Sequence, residues 1–114
     1  MDALDLAAVR TALLTERARL RAEVASTIQA PGQMTYGSQA AAATQVFEQQ
    51  RDLALRDRSA TKLELVDAAL ARLDAGDYGT CVRCGRPIAP ARLDALPWAA
   101  HCITCQAELD RGRR

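Results

Sequence analysis

The sequence has 114 residues, which is room for one small domain or for a small module joined to long helices, and this length excludes a large buried core. A formal net charge of +1 excludes a broad electrostatic attraction to nucleic acid as the basis of function. Hydrophobic residues make up 49% of the chain but aromatic residues only 4%, and the many alanines favour helices over sheets.

The N-terminal residues carry no recognisable export signal. The segment Met1 to Asp5 lacks the basic start and the continuous apolar stretch of a secretory signal. No segment approaches the run of about 18 apolar residues that a membrane span requires. We therefore expect a cytoplasmic protein without a membrane association, in which paired cysteines bind metal rather than form disulfides.

Residues 2–28 have the periodicity of an amphipathic helix. Leu6, Leu13 and Leu20 recur at intervals of seven residues. The stripe is widened by Val9, Val24 and Ile28. Asp2 is the predicted N-cap, and the Pro-Gly pair that follows residue 30 predicts the end of the helix.

A second long helix is predicted to start between Ser38 and Thr44 and to run to Ala75, where Gly76 ends it. Its clearest apolar stripe consists of Leu63, Val66, Leu70 and Leu73. Because two long helices with narrow apolar faces cannot fold alone, we expect an antiparallel coiled-coil hairpin over residues 1–75, with its turn near residues 30–38. The predicted fold class is therefore mainly α.

The predicted hairpin tip is uncharged, since no charged residue lies between Glu23 and Glu48. Met34 and Tyr36 stand out in this segment. One interpretation is an ordinary turn. The other is a recognition tip, because exposed methionine and tyrosine suit contact with a partner.

The strongest chemical signal is the pattern C-x2-C-x17-C-x2-C, formed by Cys81, Cys84, Cys102 and Cys105. Two residues between cysteines allow a tight knuckle to aim both sulfurs at one ion, and two knuckles complete a tetrahedron. We predict one structural Zn²⁺ on these four ligands, because a catalytic zinc keeps an open position. The alternative ligand is His101, which adjoins Cys102.

The residues around the cysteines predict a small finger over 76–114. Gly85 suits a backbone with positive φ, and Arg83 and Arg86 either offset the charge of the site or point into solvent. The predicted core of the finger is Ile88, Leu93, Leu96 and Trp98. A short C-terminal helix is expected from Ile103 to about Arg111.

The finger resembles the DksA/TraR family of bacterial zinc-finger proteins. The matching residues are Tyr78, Gly79, Thr80, Cys81, Cys84, Gly85, Ile88, Arg92, Leu93, Ala95, Pro97, Cys102 and Cys105, and Leu53, Leu55, Arg56 and Arg58 of the preceding helix also fit. The resemblance covers roughly residues 46–106. The first helix resembles the family only in its helical pattern.

This resemblance implies a coiled-coil hairpin, a four-cysteine finger and a C-terminal helix. It also implies a non-enzymatic regulator of transcription that binds RNA polymerase rather than DNA and inserts its hairpin into the secondary channel of the polymerase. Members of the family often act together with the alarmone ppGpp, which implies an indirect link to that nucleotide.

The predicted tip departs from the family pattern. The best-known members carry two aspartates and an alanine there, whereas Gln39 to Thr44 contains alanines and no acid. A methyl group cannot reproduce the effect of a carboxylate near a magnesium-bearing active site. The resemblance therefore carries over the fold, the zinc and polymerase binding, but not the chemistry of the tip.

Two other functions stay open at the level of sequence. One is a zinc-finger interaction module or coiled-coil homodimer without a polymerase role, although we expect a monomer. The other is a thiol switch, in which oxidation of a ligand such as Cys81 releases zinc.

Overall fold

The computed structural model describes residues 5–28 and 39–112 of the chain. Its helices are α1 (Leu6–Ile28), α2 (Gln39–Ala75), α3 (Pro90–Ala95) and α4 (Ile103–Gly112), and its β pairing is an isolated antiparallel bridge between Thr80 and Pro87. The mainly α prediction is confirmed. The predicted turn, with Met34, Tyr36 and Ser38, lies outside the described residues. Among the helices of the described part, none has the length and apolar character needed to cross a membrane.

Asp5 caps the N-terminus of α1. Its carboxylate accepts a hydrogen bond from the backbone N–H of Ala8 at 3.1 Å, and its carbonyl oxygen accepts one from Val9 at 3.0 Å. This is the geometry of an N-cap residue, whose side chain satisfies a backbone donor of the first turn. The predicted cap, Asp2, lies outside the described residues, in which α1 begins at Leu6.

Gly76 ends α2, as the sequence predicts. Its φ of +83° is a conformation that glycine adopts without the steric cost of a Cβ atom. The N–H of Gly76 donates to Leu73 at 3.3 Å, and the N–H of Asp77 donates to Arg72 at 2.9 Å. These two bonds form a Schellman motif, which stops the helix and turns the chain into the finger.

Two compact units can be distinguished, one made of residues 1–17 and 64–114 and the other of residues 18–63. In the first unit, Arg10 pairs with Asp74 at 2.8 Å, and Arg17 lies 3.9 Å from Asp67. Moving seven residues forward in α1, from Arg10 to Arg17, therefore corresponds to moving seven residues back in α2, from Asp74 to Asp67. This is the register of antiparallel helices with a heptad repeat.

The helical core of the first unit lies at the level of these ion pairs. Its buried residues are Leu13, Val66, Ala69, Leu70 and Leu73. The predicted stripe on α2 is thus confirmed at three of its four positions, and Leu63, in the other unit, is half-buried. Leu6 is 50% exposed, contrary to its place in the predicted stripe, because it is the first residue of α1.

In the second unit, Leu20 is buried, and Ser59 of α2 donates a hydrogen bond to the Glu23 carboxylate of α1 at 2.8 Å. The α2 segment of this unit carries several exposed apolar side chains. These are Val46 at 45%, Phe47 at 73%, Leu53 at 52% and Leu55 at 49% exposure. Packing within this unit therefore leaves apolar surface on α2 available to a partner.

Candidate metal centre

A small core holds the finger together. It consists of Cys81, Ile88, Leu93, Ala99 and Cys105, with Tyr78 and Cys102 packed against it. Ile88 and Leu93 confirm the predicted core, but Leu96 is 36% exposed and Trp98 is only half-buried. Two of the five buried residues are cysteines, so the core and the candidate metal site share side chains.

The first knuckle is a tight turn closed by backbone hydrogen bonds. The N–H of Cys81 donates to Arg86 at 2.8 Å, and the N–H of Gly85 donates back to Cys81 at 2.9 Å. Gly85 has a φ of +77°, as predicted from its position after Cys84. The turn places one buried sulfur, on Cys81, and one exposed sulfur, on Cys84, toward the second knuckle.

The second knuckle is built into the start of α4. The carbonyl of Cys102 accepts the Gln106 N–H at 2.9 Å, and the sulfur of Cys102 accepts the Cys105 N–H at 3.5 Å. Cys102 therefore occupies the N-cap position, where a helix dipole stabilises negative charge. The sequence indicated a helix here but not this capping role of a cysteine.

The structure brings together the four predicted cysteines. Their sulfur atoms all lie within 4.8 Å of one another, and the Cys84 and Cys102 sulfurs are 3.8 Å apart. A tetrahedral zinc with Zn–S bonds of about 2.3 Å has S···S edges of about 3.8 Å, so the donor set and its spacing fit this ion. Among the described residues the cluster includes neither a histidine nor a carboxylate, and His101 is not part of it.

The thiols of the cluster have opposing pKa shifts. Burial raises the pKa of Cys81, but hydrogen bonds from the backbone around Cys102, Cys84 and Arg83 outweigh it and lower this pKa to about 5. A backbone hydrogen bond from Cys105 lowers the pKa of Cys102. Burial and the neighbouring thiols raise the pKa of Cys105 to about 12. Cys105 thus keeps its proton where Cys81 loses it, and the cluster becomes four thiolates only when a cation balances their charge.

One arginine of the first knuckle reaches across the cluster to α4. The guanidinium of Arg83 forms an ion pair with Glu108, and this pair, together with the neighbouring Cys105, raises the pKa of Arg83. The sequence left Arg83 open between this role and a solvated side chain. No local pattern pairs Arg83 with Glu108, because the two residues meet only when α4 folds onto the knuckle.

Arg72 and Tyr78 attach the finger to the end of α2. The guanidinium of Arg72 donates to the carbonyl oxygens of Trp98 at 3.5 Å and Ala99 at 3.4 Å. The hydroxyl of Tyr78 donates to the carbonyl of Pro97 at 2.9 Å. Burial raises the pKa of Tyr78, while the positive charge of Arg72 acts in the opposite direction.

Tyr78→Phe is expected to destabilise the finger by about 1 kcal/mol, because the Pro97 carbonyl loses its donor. Because the pKa of Tyr78 is raised, the neutral phenol stabilises the finger fully below the ordinary pKa of 10.0. This stabilisation is lost as the pH rises through the raised pKa. Denaturant unfolding of both proteins, followed by Trp98 fluorescence, measures the difference. A difference that is the same at pH 8 and at a pH above about 11 would contradict this assignment.

The sequence profile described as "Prokaryotic dksA/traR C4-type zinc finger" matches residues 76–111. A curated relative from Haemophilus influenzae, named "RNA polymerase-binding transcription factor DksA", is 41% identical over 64 residues, which cover 56% of this chain and 44% of the relative. The chain spans less than half the length of the curated relatives that it matches, between 34% and 44% for three of them. The name of the Haemophilus influenzae relative describes a transcription factor, which agrees with the prediction of a non-enzymatic protein.

Two solved structures extend the similarity to the helices. Transcription factor DksA2 from Pseudomonas aeruginosa aligns with a TM-score of 0.76 at 30% identity, covering 96% of this chain and 86% of that chain. The RNA polymerase binding protein and transcriptional regulator Dks from Chlamydia trachomatis aligns with a TM-score of 0.62 at 22% identity, covering 97% and 95%, and shows a likeness of fold alone. The similarity therefore covers the helices as well as the finger.

Proposed function

This chain belongs to the DksA/TraR family of zinc-finger proteins, and from that premise we propose that it binds RNA polymerase and regulates transcription in the bacterial cytoplasm. The observation that carries the proposal is the alignment with DksA2, which includes 96% of this chain at 30% identity. The name of the Haemophilus influenzae relative, which describes polymerase binding, supports the same partner.

The finger, proposed as residues 76–114, holds one structural Zn²⁺ on Cys81, Cys84, Cys102 and Cys105. The cluster geometry supports this role, since four protein thiolates fill a tetrahedral shell and leave no position for a substrate. When bound, the ion supplies a crosslink between the first knuckle and α4. The residues 1–75, proposed as the hairpin, are then available for contact with the polymerase.

The proposed route of binding is insertion of the hairpin into the secondary channel, as the family implies. A stripe of exposed residues on α2 supports a docking face on this hairpin. Phe47, Arg51, Leu55 and Arg58 are spaced by four, four and three residues and therefore share one side of the helix. Phe47 is 73% exposed and Leu55 49% exposed, and the Arg51 side chain is 65% exposed. The alternation of apolar and cationic groups suits an acidic protein surface with apolar pockets.

The experiment is a pull-down of purified core RNA polymerase on the immobilised, zinc-loaded chain. We expect retention at micromolar polymerase and displacement by a protein that occupies the secondary channel. Absence of retention would contradict polymerase binding. Retention without displacement would contradict the proposed route.

Leu55→Asp is expected to weaken polymerase binding about tenfold, because it places a carboxylate in the apolar part of the stripe. Leu53→Asp is the matched control, since Leu53 has nearly the same exposure, 52% against 49%, on the same helix. The two positions are about 160° apart around the helix, so Leu53→Asp should change binding by less than about twofold. Titration of each labelled variant with polymerase measures its binding affinity. Equal losses of polymerase affinity for the two variants would contradict the assignment of this stripe as the docking face.

A second candidate is a coiled-coil homodimer. The exposed pair Val46 and Leu53, seven residues apart on α2, favours it because this is heptad spacing. Analytical ultracentrifugation distinguishes the two functions. A stable dimer that Leu53→Asp dissociates, together with no polymerase binding, would replace the leading proposal.

The remaining parts of the proposal concern the regulatory effect on transcription and the binding of ppGpp and DNA. We propose that the acid-free segment from Gln39 to Thr44 gives a regulatory effect different from that of relatives with acidic tips, and that any response to ppGpp is indirect. We also propose that the chain does not bind DNA directly, in line with its net charge of +1. A gel shift with steep salt dependence would contradict this last point.

A further inference from the structure

The pair Arg83 and Glu108 connects the two halves of the cysteine cluster. Arg83 lies between Cys81 and Cys84, whereas Glu108 lies on α4, one turn after Cys105. The Arg83 guanidinium forms an ion pair with the Glu108 carboxylate, and both residues line one surface depression with Cys84, Cys102 and Cys105. Both charged side chains are 45% exposed, so they stand at the solvent side of the cluster.

The arrangement differs from that of the other arginine in the same knuckle. Arg86 lines the same surface depression as Arg83, Cys105 and Glu108. Its side chain makes no hydrogen bond or ion pair within residues 5–28 and 39–112. The two arginines are three residues apart, in one depression, and Arg83 is the one that pairs with the helix carrying Cys105.

We propose that Arg83, held in place by Glu108, is a positioning residue for metal retention. Zinc with four thiolates carries a charge of about −2, which a guanidinium beside the cluster partly offsets. Glu108 holds the guanidinium at the depression that three of the cysteines line and prevents it from moving into solvent. The inference rests on the zinc site of the proposed function and is independent of polymerase binding.

The test is competition for zinc between the full chain and a chromogenic chelator at low ionic strength. We expect Arg83→Ala to lower zinc affinity about 10-fold to 100-fold, as for residues that support the ligands of other metal sites. Arg83→Lys should recover part of this loss because it restores the charge without the planar fork of donors. Glu108→Gln should cause a smaller loss, and Arg86→Ala, the matched control, a change of less than about twofold.

Salt dependence separates an electrostatic role from a purely structural one. If Arg83 acts by charge, the difference between wild type and Arg83→Ala shrinks as salt increases, because the site is partly exposed. Equal zinc affinities for Arg83→Ala and Arg86→Ala would overturn the proposal, as would a loss that salt does not change. If Arg83→Ala does not fold, the zinc affinities of Glu108→Gln and Arg86→Ala are compared instead. Failure of the wild-type chain to bind zinc would instead contradict the metal centre itself.

Discussion

Replacing Cys105 with serine is expected to abolish stoichiometric zinc binding and to unfold the finger. Cys105 is 6% exposed and belongs to a core of only five buried residues, two of which are cysteines. Such a core buries too little apolar surface to offset the conformational entropy of about 37 ordered residues, each of which costs at least 1 kcal/mol. Structural zinc contributes about 10–16 kcal/mol in isolated finger peptides, so its loss decides whether the finger folds.

Trp98 provides the readout for this variant, because it is the only tryptophan and lies half-buried in the finger. We expect metal analysis to find less than stoichiometric zinc and the Trp98 emission to shift toward that of an exposed indole. Val82→Ser is the control, since it introduces the same residue into the first knuckle, at a side chain that is 58% exposed. A Cys105→Ser protein that keeps one zinc and a native emission spectrum would show that this sulfur is not a ligand.

Leu13→Ala is expected to destabilise the paired helices by about 3 kcal/mol, because it removes a fully buried side chain and leaves a cavity. Leu13 has 0% exposure in the core of the first unit, between the levels of the Arg10–Asp74 and Arg17–Asp67 ion pairs. Leu14→Ala is the control at the next residue, which is 40% exposed. The control should cost less than about 1 kcal/mol.

Urea unfolding of the zinc-saturated proteins, followed by circular dichroism of the helices, measures both changes. The midpoint should fall strongly for Leu13→Ala and only slightly for Leu14→Ala, with similar slopes. Equal effects at the two positions would mean that the buried face of α1 has been assigned incorrectly.

The helices were predictable because their signals are local. The proline-glycine break predicted an end near Ile28, and Gly76 predicted the end of α2. The spacing of the cysteines similarly predicted that their sulfurs would meet, since a knuckle is formed by adjacent residues. That these cysteines bind zinc stays a prediction from the same spacing.

Features that depend on tertiary contacts were predicted poorly. The period of leucines identifies the face of a helix but not where its partner ends, so Leu6 was wrongly placed in the core. Leu96 was also misplaced in the core of the finger, since it is 36% exposed, whereas Ala99, which was not predicted, is 8% exposed. The contact of Arg83 with Glu108 spans 25 residues and depends on the packing of α4 against the knuckle.

The most direct test of the proposed function is photocrosslinking from position 47 of α2. Phe47 is 73% exposed, so a photoreactive phenylalanine derivative replaces it without disturbing a buried contact. With purified RNA polymerase, the account predicts crosslinks to the subunit that lines the secondary channel, and their loss when a secondary-channel protein competes. Crosslinks only to a second copy of this chain, or none to polymerase at micromolar concentration, would contradict it.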